Sequence, residues 1–162
     1  MVTTEQRAIV VGVSGSETAR RALHWAVEEG VYRNAEVRAV IAWTYVPFLV
    51  PGVIDPPDAR RHAERTVAQE VAGAVAGLAN PPVVVPLAVE GSAAQVLTEA
   101  SADAAMLVVG SHGHSGIAEA LHSSVSTTCV RHAACPVVVV PPAREVPPEK
   151  HHRSSITTAP HY

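Results

Sequence analysis

Five short runs of apolar, β-branched residues are separated by four stretches in which apolar residues recur at helical spacing, an alternation that few folds satisfy. The runs are Ala8 to Val13, Glu36 to Trp43, Val83 to Val89, Ala105 to Val109 and Val137 to Val140. Apolar runs that continue without alternating fit strands buried on both faces. Ser16 can cap a first helix that carries Ala19, Ala22, Leu23, Ala26 and Val27 along one stripe until Gly30 stops it. A second helix is marked by Ala63, Val67, Val71, Ala74, Val75 and Leu78 and broken by Asn80-Pro81-Pro82. A third opens near Ser92 with Ala93, Val96, Leu97 and Ala100 on one face. The last runs from about Ser123 to Ala133, with Val125, Thr128, Cys129 and His132 in register. Joined by right-handed crossovers, these elements predict an α/β fold, a single-domain, open, doubly wound five-stranded parallel sheet with helices on both faces.

A chain of 162 residues, 48% of them hydrophobic, is large enough for one well-buried core, and only 4% aromatic content means that small and branched side chains fill it. The formal net charge of -3 supplies no general attraction to nucleic acid or to an acidic membrane surface, so neither is an expected partner. Cys129 and Cys135 are too few for a disulfide framework and form no CxxC or zinc-like cluster; both read as structural, and a reducing compartment fits them. The first apolar run is shorter than a signal-peptide core or a membrane span, which makes the cytoplasm the expected location. The domain is expected to occupy residues 1–142. The Pro-, His- and Ser-rich segment 143–162 cannot bury much apolar surface and is expected to be a disordered tail.

In an open parallel sheet, ligands bind beyond the carboxyl ends of strands whose crossovers leave in opposite directions. Two loops stand out there. Thr44 to Pro57 is long and rich in Pro and Gly, as functional loops often are. After the fourth strand comes Gly110-Ser111-His112-Gly113-His114-Ser115-Gly116, followed by Ser123-Ser124 at the start of the last helix. Glycines let backbone N–H groups approach an anion closely, and a helix N-terminus adds unpaired donors, so the combination suits a di- or triphosphate. It is neither a GxxxxGK[ST] loop, since no lysine follows, nor a dinucleotide fingerprint, which belongs after the first strand. The same glycines also suit a plain turn.

Taken in order, Val10-Val11-Gly12-Val13-Ser14-Gly15-Ser16, Ala39-Val40-Ile41-Ala42-Trp43, Gly91-Ser92-Ala93-Ala94, Leu107-Val108-Val109-Gly110-Ser111-His112-Gly113 and Cys135-Pro136-Val137-Val138-Val139-Val140 resemble the universal stress protein family, in one register over residues 7–142. The resemblance implies a sheet in the order 3-2-1-4-5, with a crevice between strands one and four. It implies a homodimer, often joined through the last strand, and an adenine nucleotide held by G-x2-G-x9-G-[ST]. ATP or a related adenine nucleotide, with or without magnesium, is therefore the expected ligand. Gly110 and Gly113 match the first two glycines and Ser124 the terminal hydroxyl residue, while Ser123 stands where the family has glycine. The Val125 amide would also face the phosphates. Val13 and Ala42 match positions that touch the base through backbone groups, and Ser14 replaces the family's aspartate at the nucleoside.

These residues lead to a stress-response regulatory protein that binds an adenine nucleotide and signals occupancy through its dimer or an unknown regulatory protein partner. The two serine departures motivate an alternative, a nucleotide-free dimeric interaction protein of the same fold. Slow ATP hydrolysis is a third reading, disfavoured because, with Ser14 in place of the family's aspartate, neither the loop after strand one nor that after strand four offers a general base or a metal-holding carboxylate. No catalytic or metal-ligating residue is assigned: His112 and His114 read as solvated loop residues, His151 and His152 as part of the tail. Ser111, Ser123 and Ser124 lack a triad order or a nucleophile elbow. Glu17, Glu28, Glu29, Arg20 and Arg21 read as a solvated helix face.

Overall fold

The computed structural model describes residues 7–45, 56–111 and 125–143. Its elements follow one another as β1 (Ile9–Val13), α1 (Glu17–Arg33), β2 (Val37–Trp43), α2 (Pro56–Val75), β3 (Val84–Glu90), α3 (Ala93–Ala100), a short 3-10 turn at Ser101–Asp103, β4 (Met106–Gly110), α4 (Val125–His132) and β5 (Val137–Val140). All the strands pair in parallel in the order β3-β2-β1-β4-β5, as the resemblance implies.

Alternation along the central strand separates two cores. Ile9, Val11 and Val13 of β1 pack with Leu23 and Val27 of α1 and Val67 of α2, whereas Val10 packs with Val96 and Leu97 of α3 and Cys129 of α4. Thus α1 and α2 cover one face and α3 and α4 the other. The chain changes face on passing from β3 to β4, which places the topological switch point between β1 and β4.

The predicted Ser16 cap forms, its Oγ accepting from the Ala19 N–H at 3.2 Å, and α3 starts as expected beside Ser92, whose Oγ accepts from the Gln95 N–H at 3.4 Å. Ser101, fully buried, donates its hydroxyl to Thr98 O at 2.6 Å and accepts from the Ala134 N–H at 2.8 Å, tying the end of α3 to the segment after α4.

Several expectations are corrected. Gly30 does not stop α1, which continues to Arg33. Its lack of a side chain serves packing instead, because a Cβ there would lie 2.7 Å from Val37 Cγ2 and 3.1 Å from Pro82 Cγ. The stop is Asn34, in the left-handed region at φ 52°, with the Ala35 N–H donating back to Gly30 O at 2.9 Å. We expect Asn34→Ala to lower unfolding free energy by about 1 kcal/mol and Asn34→Gly to leave it within about 0.5 kcal/mol, checked by urea titration.

Helix α2 begins at Pro56, inside the segment read as a loop, and Leu78 lies beyond its end and is exposed. Helix α4 is rotated from the predicted register: Ser126 and Cys129 are buried, whereas Val125 and His132 face solvent. The eight-residue helix buries a narrow stripe, Ser126 and Cys129, with Cys129 packed into the cluster of Val10, Val96, Leu97 and Leu107. The edge strands are less covered than a two-sided burial predicts, with Leu87 and Val89 of β3 and Val139 of β5 exposed. Segments 46–55, 112–124 and the tail beyond 143 lie outside the described residues.

Candidate functional site

The carboxyl ends of β1, β2 and β4 lie side by side, and the strands part at the switch point. Pairing between β1 and β4 ends at Val11 with Val108, whereas β1 and β2 stay in register to Val13 with Ile41. The turn after β1 is held from several sides. Gly15 takes φ +74°, Ser14 and Ser16 hydroxyls lie 3.0 Å apart, and Arg20 Nη2 donates to Gly15 O at 2.8 Å. The same guanidinium bridges to Glu70 of α2 at 3.2 Å, and Arg21 Nε donates to Pro141 O at 3.1 Å after β5. The face of α1 read as merely solvated therefore braces the rim of the site. At the carboxyl end of the β2–β3 pair, the Gly91 N–H donates to Trp43 O at 2.9 Å.

Beside this turn opens a cleft of about 590 Å³. Ser14, Ala42, Trp43 and Thr44 form its strand side; Arg61, His62, Arg65 and Thr66 are among the α2 residues forming its other wall. The volume is ordinary for a small-molecule site, which falls at roughly 300 to 1,000 Å³. Asp58 also lines the cleft and pairs with Arg61 at 2.5 Å, so the α2 wall retains an excess of positive charge.

Of the predicted site residues, Ser14 and Ala42 line this cleft together. Val13 is buried beneath them at the end of β1. Gly110 ends β4, and its place has a packing cause: a Cβ there would meet the Thr18 carbonyl carbon at 2.7 Å and Thr18 Oγ1 at 2.8 Å. The Ser111 N–H continues the ladder to Val140 O at 2.9 Å. Val125 is the first described residue of α4 and is exposed. Gly113, Ser123 and Ser124, with His112 and His114, lie outside the described residues.

The cationic wall was not anticipated. Its signal was present in Arg60-Arg61-His62 and Arg65, which follow the long loop directly. Such a run usually marks a solvated helix face, and only the packing of α2 beside the end of β2 turns Arg61 and Arg65 toward a cavity. The described lining supplies an indole ring, hydroxyls and guanidinium groups. Burial pushes the Cys129 and Cys135 thiols up from their ordinary value, suiting structural rather than nucleophilic roles. No group of three or more His, Cys, Asp or Glu among the described residues is arranged to hold a metal ion, and no described helix is long and apolar enough to cross a membrane.

The sequence model described as the universal stress protein family matches residues 6–141. The chain belongs to this family. Universal stress protein Rv2623 of Mycobacterium tuberculosis is 33% identical over 135 residues, covering 83% of this chain and 45% of the relative. The chain thus spans about half the length of the curated relatives it matches. A universal stress protein solved in complex with cAMP superposes with a TM-score of 0.66 at 23% identity, over 83% of this chain and 96% of that one. The family's protein from Archaeoglobus fulgidus, solved in complex with dAMP, gives 0.60 at 22% identity, over 83% and 97%. At these identities the two structures establish the shared fold.

Proposed function

We propose that this protein is a regulatory member of its family that takes an adenine nucleotide at the switch point, with the nucleoside over the ends of β1 and β2 and the phosphates toward the loop after β4. The observation that carries this reading is the meeting of Ser14 and Ala42 in one cleft beside the place where β1 and β4 part. The complexes of related proteins with cAMP and dAMP support the ligand class. In this reading the ligand is ATP or a close relative, with or without magnesium. Ser14, Val13 and Ala42 meet the nucleoside, and Gly110, Gly113, Ser123, Ser124 and the Val125 amide meet the phosphates. The protein works as a homodimer through β5 in the cytoplasm, and a partner protein reads its occupancy.

One observation favours a second reading, an interaction protein that binds no nucleotide: the contact with Thr18 accounts for Gly110 with no phosphate present. Calorimetry with ATP and with cyclic AMP separates the two, using the wild type and a Ser14→Asp/Ser123→Gly double variant. Micromolar binding by the wild type, tightened about tenfold to several hundredfold in the variant, is the expected result. Binding by the variant alone would establish the second reading.

A further inference from the structure

We infer that the base of the ligand stacks between the indole of Trp43 and the guanidinium of Arg65, which stand on opposite walls of the cleft. The inference rests on the adenine-nucleotide reading above, which seats the base at Ala42, and adds to it two side-chain contacts in the cleft that Ala42 lines.

Three observations lead to it. First, Trp43 departs from the way this core is filled. Aromatic residues make up only 4% of the chain, and no aromatic side chain is fully buried among the described residues. Trp43 is half-buried: it packs against the core cluster beneath α1 and α2 and also lines the cleft. Aromatic stacking is a contact that every nucleobase can make, because each has a π-face. Second, Trp43 is held in place before any ligand arrives. It ends β2 opposite Glu90 of β3, and its carbonyl accepts from the Gly91 N–H at 2.9 Å. A platform anchored in this way loses little conformational freedom on binding. Third, the arginines of α2 are not treated alike. Arg60 pairs with Glu64 at 2.7 Å and is not part of the cleft lining, and Arg61 pairs with Asp58. Arg65 lines the cleft and makes no ion pair or hydrogen bond among the described residues. A guanidinium is planar and weakly hydrated, and it stacks on aromatic faces as readily as it pairs with anions.

The two uses of an arginine differ in what they sense. An arginine on a phosphate favours the ligand with more negative charge, whereas an arginine on the base acts equally on all nucleotides that share the base. Adenine carries no charge of its own, so the contact with Arg65 draws on the ring face.

The test is calorimetry on the full chain with ATP and AMP as probes, joined to tryptophan fluorescence. Trp43→Leu is expected to weaken ATP and AMP by the same factor, about tenfold, and Trp43→Phe to keep most of the affinity. Arg65→Gln should weaken both nucleotides equally, by about fivefold, while Arg60→Gln leaves both unchanged. Trp25 and Trp43 are the only tryptophans, so Trp25→Phe leaves one indole to observe. Its emission should be quenched by AMP and unaffected by ribose 5-phosphate, a readout that keeps Trp43 in place whether or not Trp43→Leu folds. Absence of that quenching, unchanged affinity in folded Trp43→Leu or in Arg65→Gln, or a larger loss for ATP than for AMP in Arg65→Gln overturns the inference and leaves the adenine-nucleotide reading standing. Failure of the wild type to bind ATP, AMP or cyclic AMP overturns both.

Discussion

Gly110→Ala is expected to destabilise the protein by about 2 to 3 kcal/mol, before any ligand is considered. The new methyl carbon would sit 2.7 Å from the carbonyl carbon of Thr18 and 2.9 Å from its Cβ. Thr18 is buried in the first turn of α1, whose start is fixed by the Ser16 cap and by the Arg20 bridge to Gly15 and Glu70. Backbone held this way has no rotamer by which to withdraw, so the clash is relieved only by moving the helix or the end of β4. Gly12→Ala is the control, because its Cβ would press at 2.8 Å on Leu97 Cδ1, the free end of a flexible side chain, and should cost distinctly less. Urea unfolding of the two variants measures the difference, and equal losses would show that the β4–α1 approach is not the constraint. The result bears on function too. A loss of nucleotide binding in a Gly110 variant is evidence for a phosphate contact only if the folded population is unchanged.

Leu107→Ala should have a larger effect, about 3 to 4 kcal/mol. Leu107 lies in β4, fully buried in the cluster with Val10, Val96, Leu97 and Cys129, and its backbone is bonded toward β5 through Pro136 O at 2.9 Å. Strands on both sides hold β4, so the cavity left by truncation cannot collapse well, and the cost includes both lost transfer energy and the void. Against a typical domain stability of about 5 to 15 kcal/mol, this is enough to lower the denaturation midpoint strongly with little change in the slope of the transition. A loss below about 1 kcal/mol would mean that the core beneath α3 and α4 repacks freely. If the nucleotide reading holds, adding ligand at about 100 times its dissociation constant should restore about 2.7 kcal/mol to this variant, provided that the unfolded chain does not bind it.

What the sequence by itself determined was the layering. Apolar runs such as Ile9–Val13 and Met106–Gly110 are stable only where both faces are covered, and helical stripes such as Ala19, Ala22, Leu23, Ala26 and Val27 supply the cover. Ser16 and Ser92 announced helix starts because the capping bond is made within a few residues of chain. The family resemblance added the strand order. Only the tertiary structure decided matters that depend on distant neighbours. Gly30 reads locally as a stop, yet Val37 and Pro82 crowd it while Asn34 ends the helix. The inward face of α4 turned on how a short helix packs against α3 and the sheet, which brought Ser126 inside and left Val125 and His132 in solvent. Gly110 reads as part of a phosphate loop, but its contact with Thr18, ninety-two residues earlier in the chain, is what excludes a side chain there. Arg61 and Arg65 look in sequence like any charged helical surface. They became candidate ligand contacts because packing of α2 over β2 makes them line one cleft with Ser14, a relation that residue order does not encode.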